Sequence, residues 1–272
     1  MKATLIRAIH NLIYNNIFCS DPNSKKWNDI AANGYEKRII GFRAEIEFGR
    51  LLANKERSTL QGGWLLSRQS GERCLEDSIY FTISPDSPDQ YVKLYSLLER
   101  LSLTKRYFIK YAFGNNHQMW PSSDVLDIQT SIPYPSYSCY EFNQGKFTEV
   151  TSGDFGLAPL LQQYIKKTGS KYRASYQLKE AHLEFASRYL AAFSYEELQH
   201  ILASRFIFDG LLGFTSKKGI PNDIDLVVLK DNKISFIEVK EKDRAKTVVG
   251  FGMDTAVHLV GELTVKLAKL TV

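Results

Sequence analysis

The chain has 272 residues, of which 44% are hydrophobic and 24% charged, and a formal net charge of +5. This is ordinary globular composition, without low complexity or repeats, and it suits one large domain or two smaller ones. The mildly basic balance permits nucleic-acid binding without arguing for it, and three scattered cysteines with no C-x-x-C pair support neither a zinc knuckle nor a disulfide framework.

Residues 1–16 read as an amphipathic helix, with Leu5, Ile6, Ile9, Leu12 and Ile13 at helical spacing. Arg7, His10 and Asn11 interrupt any apolar core, and no small-residue cleavage site follows, so a secretory signal is not expected. No apolar run approaches the length of a membrane span. Cys19, Cys74 and Cys139 are expected to be free thiols in a reducing cytoplasm. Tyr35–Leu52 reads as a second helix. A strand is expected at Trp64–Leu66, after Gly62-Gly63, and a better one at Ser78–Ser84, rich in β-branched and aromatic residues. Ser84–Asp89 (SPDSPD) stops it. Gln90–Leu101 returns to helical spacing, and Tyr107–Phe113 is a further strand.

Residues 114–139 read as loop, with Pro121, Pro133 and Pro135. Cys139–Val150 reads as a hairpin turning at Asn143–Gly145. Pro159–Lys167 is helical by pattern, and Lys166–Lys171 (KKTGSK) is the best linker candidate. Helices follow at Ser175–Phe193 and Tyr195–Phe206, and Phe251–Leu270 begins as another. The division expected from this order is an α+β region over 1–170 and an α/β core over 171–272, a mixed sheet flanked by helices.

The chemistry concentrates in Pro221–Asp243, PNDIDLVVLKDNKISFIEVKEKD. An acidic pair, Asp223 and Asp225, leads into the apolar run Leu226–Leu229. A tight polar turn and a second apolar run, Ile234–Ile237, lead to Glu238-Val239-Lys240. Two strands joined by a hairpin bring Asp225 and Glu238 to one end of a sheet. Strand alternation sets Glu238 and Lys240 on one face. An ordinary hairpin with solvated charges at its ends also fits the pattern.

This stretch resembles the PD-(D/E)xK nuclease superfamily, which includes restriction endonucleases and Holliday-junction resolvases. The residues that carry the resemblance are Asp225, then Glu238 thirteen positions later, then Lys240. It covers roughly the last hundred residues. It implies a restriction-endonuclease-like core and a Mg²⁺-dependent DNA endonuclease (Mn²⁺ substituting). Asp225, Glu238 and the main-chain carbonyl of Val239 would hold the ion, since Mg²⁺ takes hard oxygen donors and keeps several waters. Lys240 would stabilise charge developing on the phosphate.

Asp223 competes with Asp225 for the metal, and Glu180 and Glu184 occupy the place of the Glu that the superfamily often adds from a preceding helix. Glu45 and Glu47 offer a further acidic pair, which would make the chain one restriction-type domain with a large insertion. Lys166, Lys167, Lys171 and Arg173, interleaved with Tyr164, Tyr172 and Tyr176, suit either a nucleic-acid backbone or a solvated linker. Lys217, Lys218, Lys242, Arg244 and Lys246 flank the triad and could meet phosphates.

The superfamily pattern ends in one more strand, which is either Leu263–Val272 or lies beyond the chain. The expected setting is a cytoplasmic restriction or phage-defence nuclease acting on DNA, as a homo-oligomer or in a protein complex, with the N-terminal region recognising DNA or a partner. A Holliday-junction or repair nuclease is the alternative, as is a non-catalytic DNA-binding or interaction protein that keeps the fold. Asp154-Phe155-Gly156 has no Gly-rich loop or H-R-D to accompany it, and the five histidines lack metal-site spacing.

Overall fold

The computed structural model describes residues 2–17, 35–43, 45–47, 49–50, 58–67, 78–118, 132–152, 157, 159–160, 180–207 and 222–237. These form a mixed α/β arrangement around one seven-stranded sheet. In chain order the elements are α1 (Lys2–Ile17), α2 (35–50, less 44 and 48), β1 (Ser58–Ser67), β2 (Ser78–Ser84), a 3₁₀ turn (Pro88–Tyr91), α3 (Val92–Leu98), β3 (Lys105–Gln118), β4 (Ile132–Asn143), β5 (Lys146–Ser152), α4 (Glu180–Leu190), α5 (Tyr195–Arg205), β6 (Asn222–Lys230) and β7 (Lys233–Ile237).

The sheet order is β5-β4-β3-β2-β1-β6-β7. All neighbours are antiparallel except β2 and β3, which run parallel. A parallel neighbour needs a crossover, and the 3₁₀ turn and α3 supply it. Every residue of β2 is buried, as suits a central strand covered on both faces.

Alternation along β2 and β3 sorts side chains between two cores. Phe81, Tyr107, Ile109 and Tyr111 pack with Trp64 and Tyr137 against Ala203, Phe206 and Ile207, at and after the end of α5. Tyr80 and Phe108 pack with Phe142 against Leu94, Tyr95 and Leu98 of α3. Gly63 admits the Tyr80 ring, because a Cβ there would come within 2.7 Å of it.

The helices form a core of their own. Leu5, Ile9 and Ile13 of α1 meet Tyr35, Ile39 and Phe42 of α2, and Ala186, Leu190, Leu198 and Leu202 of α4 and α5. The start of α5 carries a full capping box: Ser194 accepts from the Glu197 N–H while the Glu197 carboxylate accepts from the Ser194 N–H.

The sheet extends through part of the expected loop. β3 continues to Gln118 and β4 begins at Ile132, so residues 114–118 and 132–139 are strand. The prolines are accommodated at an irregularity. Phe113 pairs with Pro135 and His117 with Pro133, and the register shifts between these two pairs. A bulge is where a residue without an N–H costs least.

The sheet also crosses residue 170, because β1 pairs with β6 from Ser58↔Leu229 to Leu65↔Asn222. Cys139 is buried, and burial followed by the neighbouring Glu141 pushes its thiol up to about 12, as suits an inert core cysteine. Cys19 and Cys74 lie outside the described residues. Among the described residues no helix is long and apolar enough to cross a membrane.

The helical core carries a pH dependence. His10 is fully buried, with Nδ1 2.6 Å from the Tyr35 hydroxyl. Burial, then His182 and Arg7, lower its pKa from 6.5 to about 4. The folded state therefore binds the proton less readily than the unfolded state. Stability from this site is fully present above the unfolded value and is lost as pH falls through the window from 6.5 to 4. The expected loss is about 3 kcal/mol at the acid end. Urea unfolding at pH 7 and pH 4.5 checks it. His10→Asn, which cannot take up the proton, should weaken the dependence and leave the share of His200, whose pKa is lowered over the same window.

Candidate metal centre at the β6–β7 hairpin

The hairpin forms as the sequence predicts. Asp231 and Asn232 take positive φ values of 51° and 58°. A two-residue connection with both central residues left-handed matches the twist of antiparallel strands, and Asp and Asn tolerate that conformation. The turn fixes the register as Lys230↔Lys233 through Leu226↔Ile237.

Asp225 immediately precedes the last of these pairs. It is half-buried, between Ile224 and Leu226, each only 1% exposed. Its backbone is therefore held by a strand whose flanking side chains are locked in the interior. On the other side of β6, Gln61 pairs with Leu226 and Gly63 with Ile224. Gly62 falls between them, across from Asp225, so β1 projects no side chain there. A carboxylate on a strand paired on both sides offers the kind of hard oxygen donor that Mg²⁺ takes.

Asp223 is two residues back along β6 and pairs with Trp64. Both Asp223 and Asp225 remain candidates. Glu238, Val239 and Lys240, which follow Ile237 in the chain, lie outside the described residues. So do Lys166, Lys167, Lys171, Arg173, Lys217, Lys218, Lys242, Arg244 and Lys246.

Glu180 opens α4 and Glu184 is exposed one turn later. Glu45 is half-buried in α2, and Glu47 is exposed and bonded to Arg43 at 2.7 Å. Among the described residues, no three His, Cys, Asp or Glu side chains stand close enough together to hold an ion. No family model, curated protein or solved structure matches the chain.

A second group of polar side chains went unread in the sequence. A cavity of about 320 Å³ opens at the carboxyl end of β2, lined by Arg50, Leu60, Ile83, Asp86, Tyr91, Tyr111, Glu196, Glu197 and His200 among others. The SPDSPD segment there signals only a strand stop. The available clue was a strand–helix–strand unit, since ligands gather beyond the carboxyl ends of parallel strands. The Ser194–Glu197 capping box was legible too. Its Glu197 accepts from Arg50 Nε at 2.6 Å, and a second bond from Arg50 Nη2 completes a fork.

Proposed function

We propose that this chain is a metal-dependent DNA endonuclease of the PD-(D/E)xK type, with its reaction centre at the open end of the β6–β7 hairpin. The reading rests on one observation above all: the ladder runs to Leu226↔Ile237, with Asp225 adjoining that pair on one strand and Glu238 following it in sequence. One more pair in the same register makes Asp225 and Glu238 cross-strand neighbours on one face.

The two carboxylates and the Val239 carbonyl would then hold Mg²⁺. The ion, when bound, supplies polarisation of the scissile phosphate and acidification of an attacking water. Lys240, two residues beyond Glu238, would share its face if the strand continues, and would donate to the oxygen on which negative charge grows. The two carboxylates alone would repel a polynucleotide; the cation and Lys240 reverse the local sign.

Within this reading the substrate is duplex DNA cut in restriction or phage defence. A homo-oligomer or protein complex would supply a second cut, and the cationic residues Lys217, Lys218, Lys242 and Arg244 would neutralise phosphates.

Calorimetric titration of Mn²⁺ into the full chain tests the metal centre, together with plasmid incubation with and without Mg²⁺. Saturable Mn²⁺ binding that Asp225→Asn abolishes, and Mg²⁺-dependent nicking, are expected. A chain that binds no Mn²⁺ and leaves plasmid intact removes the reading.

A further inference from the structure

The cavity beside β2 has a chemistry that a polynucleotide site would not use. Asp86 lines it, and its Oδ2 accepts from the Tyr91 hydroxyl at 2.6 Å and from Ser84 Oγ at 3.1 Å. The Asp86 N–H donates back to Ser84 Oγ at 3.2 Å. These bonds fix the carboxylate and leave Oδ1 with no hydrogen-bond donor among the described residues. Tyr111 adds a second ring to the lining, its hydroxyl 3.4 Å from His200 Nδ1. Leu60 and Ile83 supply apolar wall.

The charges add to a clear sign. Arg50 and Glu197 neutralise each other through their fork. His200 is neutral near pH 7, because burial, then Arg205, lower its pKa to about 4 despite the nearby Asp86. Arg205 lies farther along α5, with its guanidinium 5.1 Å from the centre of the Phe42 ring, and is not part of the lining. Among the described residues, Asp86 and Glu196 are the lining charges with no ion pair, although Lys2 acts on the exposed Glu196 from nearby, in a chain whose net charge is +5. A phosphate or a nucleic-acid backbone is repelled by such a lining.

Aromatic rings lining a cavity beside a fixed carboxylate instead suit a cation with a hydrocarbon body. A volume of about 320 Å³ is at the small end of ligand pockets.

The geometry points to a binding site for a small organic cation, a primary ammonium or guanidinium on an apolar body, with Asp86 as the counter-ion and Tyr91 and Tyr111 as its walls. The site is independent of the metal centre, and either can fail without the other.

The test is calorimetry on the full chain with benzylamine and phenylguanidine as probes, and benzyl alcohol and benzoate as size-matched neutral and anionic controls. Saturable binding of at least one cationic probe is expected, with both controls weaker by about tenfold or more, since a charge-assisted bond carries that much discrimination. Asp86→Asn keeps an acceptor for Tyr91 and Ser84 but removes the charge, and should cost about the same factor. Circular dichroism monitors its fold. Should that variant misfold, the ranking of the four probes on the unaltered chain decides alone. Absence of saturable binding by both cations, controls that bind equally well, or a folded Asp86→Asn of unchanged affinity overturns the assignment.

Discussion

Lys240→Ala is expected to reduce DNA cleavage by roughly 10²–10³-fold, the cost of removing a contact made chiefly in the transition state, and Asp225→Ala, which removes a metal ligand, by at least as much. DNA binding should persist in both, because phosphate contacts elsewhere carry most of the affinity. The fold should persist as well. Asp225 sits on a strand held from both sides, by β1 and by β7, and its immediate neighbours Ile224 and Leu226 supply the burial.

Asp223→Ala is the internal control. It lies on β6 two residues farther from the Leu226↔Ile237 pair than Asp225 does. Its effect should be milder. If Asp223→Ala is inactive while Asp225→Ala cleaves, the metal lies one strand-repeat from where the register argument puts it. Undiminished cleavage by both Asp225→Ala and Lys240→Ala would remove the nuclease centre from this hairpin. The readout is supercoiled plasmid conversion at fixed Mg²⁺, with fluorescence anisotropy for binding.

The hairpin was readable because every local signal there agrees. Two apolar runs of strand length are separated by the Asp231-Asn232 pair, which accepts left-handed backbone. α1 was readable for a similar reason: Leu5, Ile9 and Ile13 repeat at helical spacing and all are buried. The Cys139–Val150 hairpin was readable too, but the first part of β4, residues 132–138, was not, because Pro133 and Pro135 argue against a strand when read alone. Only the partner strand reveals the register shift that absorbs them.

The cavity beside β2 shows another limit. Its lining joins Arg50, Leu60, Asp86, Tyr111 and His200, residues spread over 150 positions that only the sheet and α5 bring together. The parallel pairing of β2 with β3 was equally hidden. Periodicity tells which residues face inward and says nothing of which strand lies next to which.

A polypeptide beginning at Ser170 is expected not to fold by itself, although it contains every residue of the D…E-x-K pattern. β6 would lose the whole of its pairing with β1, leaving one long edge of the hairpin unpaired. α4 and α5 would lose α1 and α2, so Ala186, Leu190, Leu198, Ile201 and Leu202 would face water where they now meet Leu5, Ile9, Ile13 and Tyr35. At about 2 kcal/mol for each large apolar side chain, four such exposures cost roughly 8 kcal/mol, comparable with the entire stability of an ordinary domain.

The division at residue 170 suggested by Lys166–Lys171 makes the opposite forecast. It expects a folded C-terminal piece that retains Mn²⁺ affinity, and ready nicking of the native chain at that segment. Circular dichroism and Mn²⁺ titration of the 170–272 polypeptide separate the two. Co-expression with residues 1–169 adds a decisive arm: if the shared sheet is what the hairpin needs, the pair should associate and recover the metal affinity of the intact chain. A folded, Mn²⁺-binding 170–272 fragment would show that β1 and the helices of the first half are dispensable to the centre. An unfolded fragment rescued by its complement would make the first half part of the same folding unit, and would place the support of Asp225 in strands on both sides of residue 170.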